Sequence, residues 1–516
     1  MACTVLGIAI ALYLVLVNEP VQSLIVASLS VIPIVVATFI RRRRVVGARL
    51  DLTLLIAITH MYCLSLGHVG SRELVGAIAE DKEYGVYSKV FRRIADLAFK
   101  LGYGLTRAME VLAKTVKPPL KDVLMRLSMA MSSKVPQEHL GLEATTMTEE
   151  YLGEYERRVE SLRTMGGVYA TIVSVSVLAI MVSSLLTIFF ENPTIPAFTY
   201  LLAVMLLMTV SMALKGIAPA ERLVYIGASP PRAYILFRSS LLLALLMLPF
   251  AMLVVIARED GGLPYALIGI GTFMLIPGLL AYKLELYVKS IDRFYPTFIK
   301  VLGENLTSTS DFRSALSYVL YMELGPFKEH VKRALNRIKA GVAVEKALQL
   351  TASEAASYQV HVLNNIFVKS FKAGSRPLDV GRVLSTLAIR LLELRNRRWV
   401  VSRTFEFVLM MLQPIVVALL IILTSLASFF SRTITSLPYF ELGVIPVSLV
   451  KYGVAAVIVA MAVLNSLAIS YVRGGFGGTS LLYIGLLLLE SGATWIGASK
   501  LIDALLGQFV SGPTLP

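Results

Sequence analysis

Nine stretches of this chain are each long and apolar enough to cross a lipid bilayer, and that feature removes most folds open to 516 residues. About 20 apolar residues rising 1.5 Å apiece cover the hydrocarbon core, and a helix satisfies every backbone group there without water. The stretches are residues 2–17, 21–40, 168–190, 197–214, 241–257, 265–282, 407–430, 446–471 and 481–499. The first is short, and Glu490 interrupts the last. Polar turns at Asn18-Glu19-Pro20, Glu191-Asn192-Pro193 and 258–262 join neighbours into antiparallel hairpins. Composition agrees. The chain is 56% hydrophobic and only 16% charged, with mean hydropathy +0.73, where a soluble globule carries about a quarter of its residues charged. No Lys or Arg precedes Arg41, so the apolar N-terminus lacks the basic start of a cleaved signal peptide and is read as a retained first helix.

Cations orient the spans, because short loops on the cytoplasmic side retain Lys and Arg. Two long polar segments, 41–166 and 283–403, hold 20 Lys plus Arg each, and the loop 215–238 holds four more. The opposite loops hold Arg258 and Arg432, with Lys451 and Lys500 near the same face. The N-terminus and both polar segments are therefore expected in the cytoplasm, and with nine spans the C-terminus lies outside. The quartet Arg41 to Arg44 reads as a topology signal against anionic headgroups. The organisation that follows is a membrane hairpin (1–40), a cytoplasmic helical domain (41–166), a hairpin (167–214), a loop (215–240), a hairpin (241–282), a second cytoplasmic domain (283–404) and three final spans (405–505).

The two polar segments match one another. Gly102, Ala108, Met109, Val111 and Ala113 correspond to Gly341, Ala347, Leu348, Leu350 and Ala352 at a constant offset of 239, as Leu124 does to Leu363 and Leu127 to Ile366. Arg157, Arg158 and Arg163 match Arg397, Arg398 and Arg403 at 240, and Ala77 matches Ala315 at 238. Composition alone keeps no such register, so the spacing indicates an internal repeat in which spans one to four shift onto five to eight and the ninth stands outside. Within each segment the apolar period is helical, as in Leu120, Val123, Leu124, Leu127 and in Val331, Ala334, Leu335, Ile338. Gly102 and Gly341 end one helix before the next begins. The fold class is all-α, a polytopic membrane protein with two repeated helical bundles, each sized to bury its own core. The charged last helix of each bundle runs straight into a span.

Catalytic constellations are missing. No G-x-x-x-x-G-K-[ST] run cradles a phosphate. The histidines His60, His68, His139, His330 and His361 lack ligand spacing, and Cys3 with Cys63 gives neither a disulfide framework nor a zinc pair. The expectation is a chain that is not an enzyme and needs no cofactor or metal. The run Gly474-Gly475-Phe476-Gly477-Gly478 reads as a tight turn between spans. Glu490 is the candidate intramembrane charge, with Lys451 or Asn465 as possible partners; it is either a polar clamp, between helices or to a partner's transmembrane segment, or a mark that the span boundary lies elsewhere. Pro33, Pro249, Pro277 and Pro414 fall in spans, where packing tolerates a kink.

Function then rests on the basic clusters: Arg92 and Arg93, Lys332 and Arg333, Arg157 with Arg158 and Arg163, Arg397 with Arg398 and Arg403. Such runs are commonly solvated faces or contacts with anionic lipid. Recurrence of two clusters at repeat positions favours a shared duty, the attraction of an acidic cytosolic protein. Nucleic acid fits poorly, since the clusters lack interleaved exposed aromatics.

Two helical domains, each with a G-x5-A-[ML] signature (Gly102 to Met109 and Gly341 to Leu348) and flanked by hairpin spans, resemble the type II secretion system F family. The duplicated form with about nine spans is similar to the archaeal platform proteins of type IV pilus-like machines, the archaellum included. The resemblance covers nearly the whole chain. It implies a non-enzymatic platform whose cytoplasmic domains engage a hexameric secretion ATPase and whose membrane part receives pilin or archaellin subunits; a homodimer suits a ring-shaped motor. The rival class is a secondary transporter with duplicated halves, which requires broken helices and polar groups at the midplane of both halves.

Overall fold

The computed structural model describes residues 50–510 apart from 68, 134, 191–193, 258–261 and 435–446. Its elements are α1 (Leu52–Ser65), α2 (Ser71–Glu80), α3 (Val86–Ala95), α4 (Leu105–Ala113), α5 (Leu120–Ser132), α6 (Pro136–Phe190), α7 (Thr194–Ile217), α8 (Arg232–Ala257), α9 (Gly262–Thr309), α10 (Phe312–Val319), α11 (Phe327–Lys339), α12 (Val344–Ala355), α13 (Tyr358–Lys372), α14 (Pro377–Ile434), α15 (Val447–Arg473) and α16 (Ser480–Val510). The described residues form no strand; one isolated bridge joins Val224 and Ser357.

Six helices among the described residues are long and apolar enough to span a membrane: α6, α7, α9, α14, α15 and α16. They coincide with six of the nine expected stretches, and the chain is a multi-pass membrane protein. The first two stretches lie outside the described residues. The fifth, 241–257, lies in α8, whose side chains are described as far as residue 247. Large apolar side chains on the outside of these helices, such as Val175, Leu178, Leu246, Ile276 and Ile415, are more than half exposed or close to it. Lipid is the medium that suits such a surface.

The span core is closed by small residues. A Cβ on Gly278 would meet the backbone of Leu482 at 2.3 Å, and one on Gly271 the carbonyl of Gly485 at 2.9 Å, so α9 and α16 touch backbone to backbone. That approach gains dispersion contact where no hydrophobic effect drives helices together. A buried polar chain adds to it. Tyr169 donates to Asn465 Oδ1 at 2.9 Å, Asn465 Nδ2 to Gln413 Oε1 at 2.8 Å, and Gln413 Nε2 to Ser491 Oγ at 3.0 Å, tying α6, α15, α14 and α16.

Outside the spans, the expectation of a separate core for each polar segment does not hold. One contiguous apolar cluster includes residues from Leu52 to Val159 and from Ile291 to Leu394. The two segments dock because polar groups on one meet partners on the other. Asp81 accepts from Lys369 Nζ at 2.6 Å and Asn365 Nδ2 at 3.2 Å, Glu83 lies 3.1 Å from His361, and Ser375 donates to the Cys63 carbonyl at 2.8 Å. Polar pairing at the rim lets the apolar positions behind it merge.

Candidate functional site

The charged helices that leave the polar region are uninterrupted. α6 runs 55 residues and α14 runs 58, each from the polar core into the span core. They lie side by side at the crossing. Arg397 of α14 pairs with Glu156 of α6, and Phe405 packs on Gly166 and edge-on to Tyr169 at 5.9 Å.

Where α14 passes this level, the helical period turns Arg395 and Arg398 inward beneath Leu391 and Leu394. Arg398 is 3% exposed. Its Nε donates to the Val472 carbonyl at 2.9 Å, Nη2 to Tyr471 at 2.8 Å and Nη1 to Pro219 at 3.0 Å. Tyr471 and Val472 sit in the last turn of α15, whose final carbonyls lack helical partners, so the guanidinium caps that helix from outside with charge favourable to its dipole. Gly474 and Gly475 follow with φ of +71 and +87, values suited to glycine. They reverse the chain into α16, which makes the glycine-rich run a tight turn, as its sequence indicates.

A second buried group holds the turn. Glu285 of α9, fully buried, accepts from Lys289 at 2.7 Å, Arg473 at 3.1 Å and the Phe476 amide at 3.2 Å. Arg473 also donates to the Tyr483 hydroxyl and lies over the rings of Tyr282 and Tyr483. Nearer the polar core, Arg395 donates to Asp292 at 2.8 Å and to Gln359 at 3.0 Å, and Ser357 donates to the other oxygen of Asp292. The connector between α7 and α8 closes the assembly. Glu221 accepts from Tyr155 and faces Arg395 at 3.8 Å and Arg398 at 4.0 Å, while Tyr225 stacks on His361 at 3.7 Å. Buried charges persist only when paired and hydrogen-bonded, and here α6, α9, α14 and the α15–α16 turn supply one another's partners. Chemically the arrangement is a set of mutually paired buried charges that ties these elements together, and the described residues contain no cluster of three metal-ligating side chains.

The basic residues singled out from sequence divide into two sets. Arg92, Arg93, Arg157, Arg163, Lys332, Arg333, Arg397 and Arg403 are exposed. Most are engaged nearby: Arg92 with the Ala79 carbonyl, Arg157 with Glu154, Arg163 with Glu160, Arg333 with Glu354, and Arg403 over the Trp399 ring. Arg158 is only 18% exposed and bonded to Glu154 at 2.7 Å. Arg398 is the correction: it is buried rather than on a surface, and each of its three guanidinium nitrogens donates to a backbone carbonyl, because its helical phase matches the apolar face of α14. Gly102 and Gly341 have φ of +72 and +88, and Ala108, Met109, Ala347 and Leu348 are buried beneath them. Glu490 is half-exposed on α16, and Asn465 is bonded to Tyr169 and Gln413 instead.

Sequence reasoning missed Arg395, Glu285, Asp292, Glu221 and Gln413. Continuing the period Leu384, Leu387, Leu391, Leu394 by three and four reaches Arg395 and Arg398, so that signal was available. His60 and Cys63, one helical turn apart on α1, are both buried, and the imidazole bonds to the Tyr84 hydroxyl at 2.7 Å.

Spanning helices, a helical core outside them and a buried charged joint between the two define a multi-pass membrane protein whose polar part is rigidly connected to its spans. This chain is similar to Flagella accessory protein J of Methanocaldococcus jannaschii, 25% identical over 454 residues that cover 83% of the chain and 80% of that protein. It is also similar to Flagella accessory protein J of Methanococcus voltae, 22% identical over 360 residues covering 66% of the chain and 64% of that protein. Both are accessory proteins by name and neither name carries a catalytic activity, in keeping with a chain that is not an enzyme. No family model and no solved structure matches.

Proposed function

We propose that the protein is the membrane platform of an archaellum or related type IV pilus-like assembly machine, coupling a hexameric cytoplasmic secretion ATPase to the extrusion of pilin or archaellin subunits. The observation that carries it is the continuity of α6 and α14 from polar core to spans, locked at the crossing by Arg395, Arg398 and Glu285; a tether of flexible loops would dissipate a push that these helices deliver. Likeness to the two flagella accessory proteins supports the filament. In this reading the polar region faces the cytoplasm, as the distribution of cations indicates. It is built of two repeated bundles: the succession α1 to α6 corresponds helix for helix to the end of α9 followed by α10 to α14. The homodimer and lipid contacts belong to the same proposal.

The exposed basic residues are the ATPase-facing surface. Arg93→Glu, Arg157→Glu, Lys332→Glu and Arg397→Glu combined should abolish co-purification of the secretion ATPase and leave membrane insertion intact. Undiminished co-purification removes these residues from the interface.

The transporter reading is weaker. It needs polar midplane groups open to a pathway, whereas Tyr169, Asn465, Gln413 and Ser491 are at most 1% exposed and satisfy one another, as interhelical ties do.

A further inference from the structure

We infer that the end of the first helical bundle farthest from the spans, at Phe99, Leu101 and Tyr103, is a docking surface for an acidic protein with an apolar recess, and that the second bundle has no equivalent. The inference rests on the platform reading in one respect, that this protein is the secretion ATPase, and it narrows the contact to one end of one bundle.

A single residue separates the two bundles here. Gly85 corresponds to Gly325 at offset 240, with φ of +54 and +51, and Gly102 to Gly341 at 239, so the first bundle holds one residue more between its glycines. The helix takes it up in the π turn over Asp96–Lys100. Matched hydrogen bonds trace the step. The Ala340 amide donates four residues back to Asn336 and the Val342 amide five back to Arg337, whereas Leu101 donates five back to Asp96 and Tyr103 six back to Leu97. Such widened turns are rare and recur at functional sites.

The widened turn brings large apolar groups to the surface. At offset 239, Phe99 is 38% exposed where Ile338 is 5%; Leu101, at 65%, stands where the second bundle has Ala340; and Tyr103, at 48%, stands where Val342 packs against the core. Gly104, with φ of +74, replaces Ala343, with φ of −55, so Tyr103 is held out between two left-handed glycines. Arg72 lies over the Phe99 ring at 5.0 Å and Arg107 over the Tyr103 ring at 5.8 Å. Aromatic rings and arginine are the side chains that carry most of the energy where proteins bind one another.

Charge selects the partner. Residues 85–109 carry five Lys or Arg and a single acid, Asp96, which Lys100 already holds at 2.7 Å. An apolar patch ringed by cations draws an acidic surface, which gains orientation from the charges and affinity from the rings it buries. Lipid is out of reach. Thr106 bonds to Ser132 at 3.0 Å, which sets this end of the bundle beside the start of α6 at Pro136, and the span expected from residue 168 begins about 48 Å along that helix. Chain length excludes the N-terminal stretch. Leu50 lines a hollow with Glu149, Gly153 and Arg157 of α6. The nine residues 41–49 reach at most about 30 Å. That is enough to run from Leu50 to lipid about 20 Å along α6, and too little to visit the patch about 25 Å the other way as well.

The test is made in full-length protein with Leu101→Ser and Tyr103→Ser combined. Both side chains are largely exposed, so thermal unfolding should be unchanged while the secretion ATPase recovered by co-purification falls about tenfold or more. Lys346→Glu, which reverses the second bundle's counterpart of Arg107, should lower that recovery less than about twofold, and Arg107→Glu should lower it more. Undiminished recovery with the double variant overturns the inference, and so does an equal loss from Lys346→Glu and Arg107→Glu. A double variant that loses the ATPase only together with about half of its detergent-solubilised mass shows a contact between copies of the chain, and the inference fails. If the wild-type chain recovers no ATPase, the platform reading fails, and binding of a labelled random copolymer of Glu and Tyr decides this inference instead. Wild type should bind it about tenfold more tightly than poly-Glu of equal length, and the double variant should lose that preference. Equal affinity of wild type for the two polymers overturns it.

Discussion

Arg398 occupies the space that a side chain at position 474 would need: a Cβ on Gly474 would lie 2.7 Å from the guanidinium carbon. The two residues are 76 positions apart and form one structural unit, the glycine turning the chain and the arginine binding the carbonyls that the turn leaves behind. Removing Arg398 strands three buried acceptors on Pro219, Tyr471 and Val472 and weakens the compensation of Glu221. Arg398→Ala should therefore cost on the order of 3 kcal/mol. Gly474→Ala should cost about 1–2 kcal/mol for its left-handed backbone, plus a term for displacing the arginine. In the Arg398→Ala background that second term vanishes, so the double variant should lose less than the two single losses combined. Thermal unfolding in detergent measures all three; strict additivity would show the two residues to be independent.

The contact between Asp81 and Lys369 holds the polar region together in a way that one pair of substitutions can isolate. Asp81 is 8% exposed and Lys369 33%. Burial raises the carboxyl's pKa, but the hydrogen bonds from Lys369 and the Glu83 amide outweigh it and hold the group below its usual value. A depressed carboxylate contributes stability above its unfolded pKa and loses it as pH falls through the folded one. Lys369→Met leaves the carboxylate without its cation and should cost about 1–3 kcal/mol. Asp81→Asn retains an acceptor for the Glu83 amide, so the same Lys369→Met change made on top of it should cost much less. Limited proteolysis of the 66–70 segment, beside the Ser375 contact, reports whether the two halves have separated; equal cleavage of wild type and Lys369→Met would show that this pair does not hold them.

What was legible in the sequence followed from physics acting over short distances. Twenty apolar residues have one stable state in lipid, and six of the expected spans are helices of that kind. Leu120, Val123, Leu124 and Leu127 are all fully buried, as their three-and-four spacing requires. Ile94, Leu97, Ala98 and Leu101 step by three and four as well, and there the spacing misleads at its end: Leu101 is 65% exposed, because the helix gives way to a π turn over Asp96–Lys100. The joint was not legible, because each partner lies far along the chain. Glu285 and Arg473 are separated by 188 positions, and a run of cations reads the same whether it faces solvent or, like Arg398, a helix end. The tight turn at Gly474 could be read, but its partner could not.

Two buried imidazoles set how the polar region responds to acid. His330 lies against Tyr287, Arg333 and Glu354; Arg333 Nη2 donates to Nδ1 at 2.8 Å, so Nε2 carries the proton and donates to the Tyr287 hydroxyl. That arrangement requires the neutral ring. Burial first, and then Arg333, lower its pKa from 6.5 to about 4. His60 is enclosed more fully and is lowered to about 3, again chiefly by burial, with Lys369 adding to it. The unfolded chain takes up protons on both rings near pH 6.5, whereas the folded one does not until the pH is well below 5. Stability should therefore fall as pH drops from about 6.5 towards 4, and once fully titrated each ring accounts for roughly a hundredfold to a few thousandfold of the folding equilibrium. For His330 alone the loss is roughly 3 kcal/mol when complete. His330→Gln retains an amide able to accept from Arg333 and removes the titration, so unfolding curves at pH 7 and pH 5 should draw closer together than in wild type. An unchanged pH dependence in His330→Gln would assign the acid sensitivity to His60 and the carboxylates instead.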